Sequence, residues 1–385
     1  MDKQDKKKFL LTYCLVLLIS VLYIFIGHNL AMQNYQDFAG DDQSIVVKAT
    51  VKEVLSQQSN DYPLNDFEDV VSEMIIFTAE ITSGAEKETV VEAQQTLDYY
   101  TAVNLKVVEP GDKVLLYTYP DIIGDYPWQL SDYERFDTIS VLLIIFLALL
   151  LLFGGTKGLN TIISLTLTCL AVFYVFIPAV LAGENVYLWS IVTCIYITFM
   201  TLFIVNGVNT KSFAAIFGCL GGVLLAGMLT LILDGMLELT GVVNDESVIL
   251  LNIMPDNPLD LKALIFAAII IGAVGAIMDV SISIAASLAE LKEKLPEISM
   301  LELWKSGMTI SKDIMGTMAN TLILAYMGSC LTSVLLMVAY NSSLLDLFNR
   351  EMIIVEMLQA LVGSMGILLA LPLTSLICAA LYRGK

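Results

Sequence analysis

Positive charge, histidine and paired cysteines are all scarce in this sequence, and each scarcity removes a class of function. Twenty Lys and Arg stand against 39 Asp and Glu, a formal charge of −19 over 385 residues. A surface that neutralises phosphates needs the opposite balance, so nucleic acid is excluded as a partner. The single histidine, His28, leaves no HExxH zinc motif, no Ser-His dyad and no histidine-rich metal site. No GxxxxGK(S/T) loop occurs, so the chain carries no P-loop ATP motor. The six cysteines, Cys14, Cys169, Cys194, Cys219, Cys330 and Cys378, all fall in apolar runs without CxxC spacing. They read as small packing residues, and the polar segments hold no disulfide framework. No nucleophile–base pair is evident, so the expectation is a non-enzyme without metal or cofactor.

Charge of either sign is also thin. Charged residues make up 15%, against about 25% in an ordinary soluble domain. Hydrophobic residues reach 57%, and the mean hydropathy is +0.77. This composition points to a polytopic α-helical membrane protein. A bilayer core needs about 20 apolar residues per helix. Eight runs approach that length: Phe9–Ile26, Thr138–Phe153, Leu159–Leu181, Val186–Val205, Phe213–Leu239, Leu261–Leu288, Ile314–Tyr340 and Ile353–Tyr382. The first follows Lys6-Lys7-Lys8 like a signal peptide, but no small-x-small site follows at the right place, which favours an uncleaved anchor.

Lys and Arg in short loops set the orientation. With the N-terminus inside, Lys3, Lys6, Lys7, Lys8, Lys157, Lys211, Lys292, Lys294, Lys305, Lys312, Arg383 and Lys385 face the cytoplasm, against Arg135, Lys262 and Arg350 outside. Both termini are then cytoplasmic. Three regions result: an anchor helix in residues 1–27, an extracytoplasmic segment in 28–135, and a seven-helix membrane domain in 136–385. The middle segment holds 20 acidic and 6 basic residues, a charge of about −14. Ile45, Val47, Ala49 and Val51 alternate with other residues, as do Ile75, Phe77, Ala79 and Ile81, and again Val103, Leu105 and Val107. Period-two alternation predicts half-buried strands, four to six of them, in a small barrel or sandwich. Glu109-Pro110-Gly111-Asp112 predicts a turn ahead of Val114–Tyr117. The acidity reads as a solvated face; Asp61–Asp69 lacks the glycine and spacing of an EF-hand loop.

The last three runs carry the chemistry. Gly272, Gly275, Ala276, Asp279, Ser283 and Ala286 recur at three- and four-residue steps and share one helical face. Small residues let a second backbone approach closely. Asp279 lies on that face, about 15 residues or roughly 22 Å beyond Leu264. A carboxylate at that depth is costly unless it is protonated, paired or wetted. Apart from Lys262, at the far end of the same run, no Lys or Arg lies within any run to pair with it. Two readings remain open: a proton or cation site, and a hydrogen-bonded packing aspartate. The next run opens with Asp313, Gly316, Thr317, Asn320 and Thr321 on a second polar, small face, with Asp313 near the inner water boundary. Asn320 is the expected hydrogen-bond partner of Asp279, with Thr317 and Ser283 shaping the site. Gly272, Gly275 and Gly316 are the expected helix-packing glycines. Gly218 and Gly222 form one further GxxxG, and Pro178 and Pro372 can kink their helices, with Thr374 and Ser375 near the second break.

These motifs, Gly272–Leu291 (GAVGAIMDVSISIAASLAEL) and Asp313–Gly328 (DIMGTMANTLILAYMG), resemble the YibE/F family of bacterial polytopic membrane proteins. The resemblance runs from the N-terminal span through the β-rich segment to the last helix. An exported domain of this size looks like the YibE member. The resemblance implies a bacterial cytoplasmic membrane location and a YibF-like membrane paralogue or a second copy as partner. It brings no established molecular function. An Asp in a small-residue helix, Glu290 about 11 residues on, an amphipathic elbow and a Gly/Thr/Asn helix are also similar to SecD/RND-type permeases, which couple transport to ion flow. Seven spans after the exported segment depart from the five of such a half-unit. The expected function is transport-related, with Asp279 coupling to a proton or cation; the alternative is an envelope scaffold acting through residues 28–135.

Overall fold

A computed structural model describes residues 3–35, 44–64, 68–97, 106–119, 127–253, 258–340 and 343–382. The chain divides into two units, residues 37–148 and residues 1–36 with 149–385.

The first unit is built on five strands: β1 (Ile45–Leu64), β2 (Glu68–Ile81), β3 (Val90–Leu97), β4 (Lys113–Thr118) and β5 (Trp128–Tyr133). They close into a barrel in the order β1-β2-β3-β5-β4. The β3–β5 contact is parallel and the others antiparallel. This is a five-stranded Greek-key barrel of the OB type. Its interior follows the alternation in sequence. Val47, Ala49 and Val51 of β1 and Ile75, Phe77, Ala79 and Ile81 of β2 are all buried. Register shifts in β1 after Val51 and Val54 bend that strand so that it pairs with β2 and β4.

Only the end of the third alternating run is described. Val103 and Leu105 lie outside the described residues, and Lys106–Glu109 has irregular backbone. The buried Gln95 side chain takes the place of a ladder. Its Nε2 donates to Lys106 O at 3.1 Å, and its Oε1 accepts from Val108 N at 3.1 Å. The turn after it forms as expected, with Asp112 N donating to Glu109 O at 3.1 Å and Gly111 at φ +94°. Asp112 seals the turn: its carboxylate accepts from Glu109 N at 3.0 Å and from Lys106 Nζ at 2.5 Å. Desolvation works against the charged Asp112, but Lys106 and the Glu109 amide outweigh it and hold the carboxyl below its ordinary value.

The second unit is helical. It contains α1 (Lys3–Ala31), the distal part of α2 (Phe136–Ala171), α3 (Ile177–Leu181), α4 (Val186–Asn206), α5 (Thr210–Leu237), α6 (Asp245–Ile253), α7 (Leu261–Lys294), α8 (Met300–Ser329), α9 (Leu331–Tyr340), α10 (Leu344–Leu347) and α11 (Glu351–Leu381). Among the described residues, six helical stretches are long and apolar enough to cross a membrane, and the α8–α9 pair, bent by 63°, makes a seventh. The second stretch, Phe136–Leu181, is 46 residues long. It is broken at Gly155, whose φ of 53° and ψ of −126° no helix contains. A Cβ on Gly158 would lie 2.0 Å from Leu150 O. Eight residues along a straight helix are about 12 Å apart, so the chain doubles back at this break.

Pro178 has a visible cost. Lacking an N–H, it leaves the carbonyl four residues back unsatisfied, and a π-turn, Val172–Phe176, precedes it. The orphaned carbonyl is that of Tyr174, and the lone histidine meets it: His28 Nδ1 lies 2.9 Å from Tyr174 O, with the two rings stacked at 4.0 Å. Tyr23 stacks on Tyr196 at 3.9 Å, and Tyr13 donates to Asn160, which in turn donates to Ile204 O. These contacts hold α1 against α2, the π-turn and α4.

The centre is a three-helix contact of α5, α7 and α11, with Ile277, Ile284 and Leu288 fully buried. Glycine makes it possible. A Cβ on Gly218 would stand 2.0 Å from Thr374 Oγ1, and one on Gly222 would stand 2.6 Å from Ala370 Cβ. The expected GxxxG is therefore the α5–α11 seam. At one rim Glu351 caps the loop after α5, accepting from Thr240 N at 2.8 Å, Gly241 N at 2.6 Å and Thr240 Oγ1 at 2.8 Å.

Two outcomes test this account. Gly218→Val overpacks the seam and lowers the melting temperature of the purified protein by about 1–3 kcal/mol equivalent, whereas Gly275→Val, in open space, does not; equal effects would contradict the seam. For Asp112, a folded pKa below the unfolded one contributes stability above about pH 4 that is lost as pH falls through the folded value. Hydrogen exchange should show the Glu109–Asp112 amides losing protection on that acid limb, and Asp112→Asn exposing them already at neutral pH.

Candidate functional site

Helix α7 separates its residues cleanly. Ile277, Val280, Ser281, Ile284 and Leu288 are buried against α5 and α11, while Gly272, Gly275, Asp279 and Ser283 are exposed. The small face expected from the sequence therefore exists as one stripe, with the carboxylate on it. Among the described residues, part of that stripe is left open. A Cβ on Gly275 would meet nothing within 4 Å, and neither would one on Gly316. Inside one chain these two glycines meet no described neighbour. The reason is the course of α8, which lies chiefly along α11 and touches α7 less. Gly272 does have a neighbour: its Cβ would stand 2.4 Å from the Tyr326 hydroxyl.

No hydrogen bond or ion pair to the Asp279 carboxylate occurs among the described residues. Asn320 is exposed on α8 and makes no bond to Asp279, so that expected pairing is absent. Ser283 Oγ donates to Asp279 O at 2.7 Å, and Thr317 Oγ1 donates to Ile314 O at 2.9 Å. Both hydroxyl protons are thus spent on the helix backbone, as an apolar solvent demands. Their oxygens keep lone pairs free to accept from an acid or to ligate a cation. Asp313 is exposed near the start of the same polar face, which continues through Gly316, Thr317 and Asn320.

The polar contacts that do cross between helices are different ones. Thr374 Oγ1 lies 3.2 Å from Ser281 Oγ, and Ser311 Oγ lies 3.4 Å from Ser375 Oγ, with all four residues buried. Sequence reasoning placed Thr374 and Ser375 only near a kink at Pro372, yet α11 runs unbroken through that proline. It also passed over Glu356. That second carboxylate lies in the same apolar run as Ile353 and stands one turn into α11, half-buried beside Tyr326 and Cys330. The signal was available: an acid inside a span is a site candidate by default.

A family model described as YibE/F-like protein matches residues 142–384. No curated protein and no solved structure matches the chain. The match takes in α2 onward, including both motifs above, and leaves α1 and the barrel outside. It covers more than half of the 385 residues, so the chain belongs to the YibE/F-like family.

Thermal melting of the purified protein across pH and sodium separates the two readings of Asp279. A titrating or ion-binding carboxylate makes the wild-type melting temperature depend on one of them by about 1 kcal/mol, roughly 2 °C, and Asp279→Asn removes the dependence. Parallel melting of both proteins under all conditions would leave Asp279 as a packing residue.

Proposed function

We propose that this YibE/F-like protein is a non-enzymatic, transport-related membrane protein in which Asp279 couples to a proton or a cation. The observation that carries the reading is the unpaired Asp279 carboxylate on a partly open stripe of small residues. Within a bilayer an ionised carboxylate without a partner is costly, and such groups are kept where they bind or relay ions. Ser283, Thr317 and Asn320 supply oxygens along the facing stripes, and Asp313 stands at the inner mouth. The chain crosses a bacterial cytoplasmic membrane eight times, because the 46-residue stretch broken at Gly155 is about twice the length of one crossing. Both termini are cytoplasmic, α1 is retained as an anchor, and the acidic barrel lies outside the cell, as the distribution of Lys and Arg requires.

The open stripe also speaks for a partner. Lipid is a poor cover for Asp279 and for bare glycine backbone, whereas a second helix packs well on both. A YibF-like paralogue or a second copy of this chain supplies it, and a barrel of this size before the membrane domain supports reading the chain as the YibE-like member. A different reading follows from the barrel itself. OB-type barrels commonly bind extended ligands on one face, and a scaffold acting through that domain would not need Asp279.

The deciding experiment is ion flux in vesicles containing the purified protein, with imposed proton and sodium gradients. Coupling through Asp279 predicts that Asp279→Asn slows dissipation at least about tenfold, or ~1.4 kcal/mol. Equal rates for both proteins would refute the coupling role and favour the scaffold.

A further inference from the structure

Between α8, α9 and α11 lies a cavity of about 340 Å³. Its walls are mostly aliphatic, with three polar side chains: Tyr326, Cys330 and Glu356. The Tyr326 hydroxyl is buried and has no hydrogen-bond partner among the described residues. A buried hydroxyl without a protein partner is uncommon in a native fold. The Cys330 thiol donates to Met327 O at 3.7 Å, and Cys330 and Glu356 line the same cavity. No residue of α5 or α7 lines the cavity. Glu351, five residues earlier on α11, is engaged with the loop at Thr240 and Gly241. The titratable groups facing Glu356 are therefore Tyr326 and Cys330.

The same hydroxyl touches the stripe that bears Asp279. It lies against the bare backbone of Gly272, where a Cβ would come within 2.4 Å. Asp279 is seven residues further along that face, two turns or about 10 Å. Tyr326 thus reaches both the cavity that holds Glu356 and the α7 stripe that holds Asp279. The donor set decides what such a cavity can take. A metal cation stripped of water needs a shell of several oxygens. One carboxylate and one phenol do not provide it. A proton needs a single acceptor, which Glu356 is.

We propose that the Glu356 carboxyl in this cavity is a second proton-binding station, with the neighbouring Tyr326 hydroxyl setting its proton affinity. The proposal rests on Asp279 being the coupling acid, and its test keeps the two apart. Dicyclohexylcarbodiimide adds to protonated carboxyls in apolar surroundings. Full-length protein in lipid vesicles is treated with it across about pH 5 to 9, and adducts at Glu356 and Asp279 are counted separately by peptide mass spectrometry. Glu356 labelling should fall about tenfold per pH unit beyond its midpoint. Tyr326→Phe should move that midpoint without abolishing labelling. No adduct on Glu356, pH-independent labelling, or a midpoint unmoved by Tyr326→Phe would overturn the proposal. So would protection of Glu356 by sodium, which would make the cavity a metal-cation site. If Glu356 titrates and responds to Tyr326→Phe while Asp279 never labels, the station stands and the coupling role of Asp279 falls.

Discussion

Close approach of α5 and α11 is the contact on which the helical unit depends. In an apolar solvent, helices gain nothing from hiding hydrophobic side chains from water, so association comes from packing and hydrogen bonds. Gly218 and Gly222 remove the side chains that would hold the backbones apart. That approach brings Thr374 to Ser281 and Ser375 to Ser311 in the dry interior. It also fixes how α7 is rotated. Once Ile277, Ile284 and Leu288 face α5 and α11, the glycine stripe with Asp279 must face away.

The second consequence concerns α8. It lies along α11, so its polar face and that of α7 are both left open and share no hydrogen bond between Asp279 and Asn320. An open face bearing a carboxylate is a poor surface to present to lipid. The same geometry that solves the internal packing creates the demand for a proton, an ion or a partner. Tyr326 is placed where this matters, reaching from α8 to the bare backbone at Gly272 while also lining the cavity with Glu356.

Proline and histidine show the rule of internal satisfaction at smaller scale. Pro178 removes one backbone donor, the helix loosens into a π-turn, and His28 from α1 lies at the freed Tyr174 carbonyl. The lone histidine, which excluded several chemistries by its solitude, thus has a structural position that explains it. In the barrel, Gln95 does similar service for Lys106 and Val108, and for that reason an alternating run at 103–107 reads as a strand without its described part being one.

The amino-acid order alone determined the membrane class, the approximate position of most long helices, the strands carrying Ile45–Val51 and Ile75–Ile81, the turn at Glu109–Asp112, and the family. These are legible because hydropathy, period-two alternation and turn residues act through local backbone geometry and transfer from water. The composition of the small face on α7 was equally plain, since i, i+3 and i+4 spacing fixes a helical face whatever surrounds it. Tertiary structure decided what that face meets. Whether Gly218 or Gly275 is the packing glycine depends on which neighbour comes within van der Waals range, and one sequence carries no record of distance between helices. The barrel closure through parallel β3 and β5, the doubling back at Gly155, the pairing of Ser281 with Thr374, and the unpaired Tyr326 hydroxyl beside Glu356 belong to the same class. Each arises from residues far apart in the chain, where the only arbiter is which contacts fit together in three dimensions.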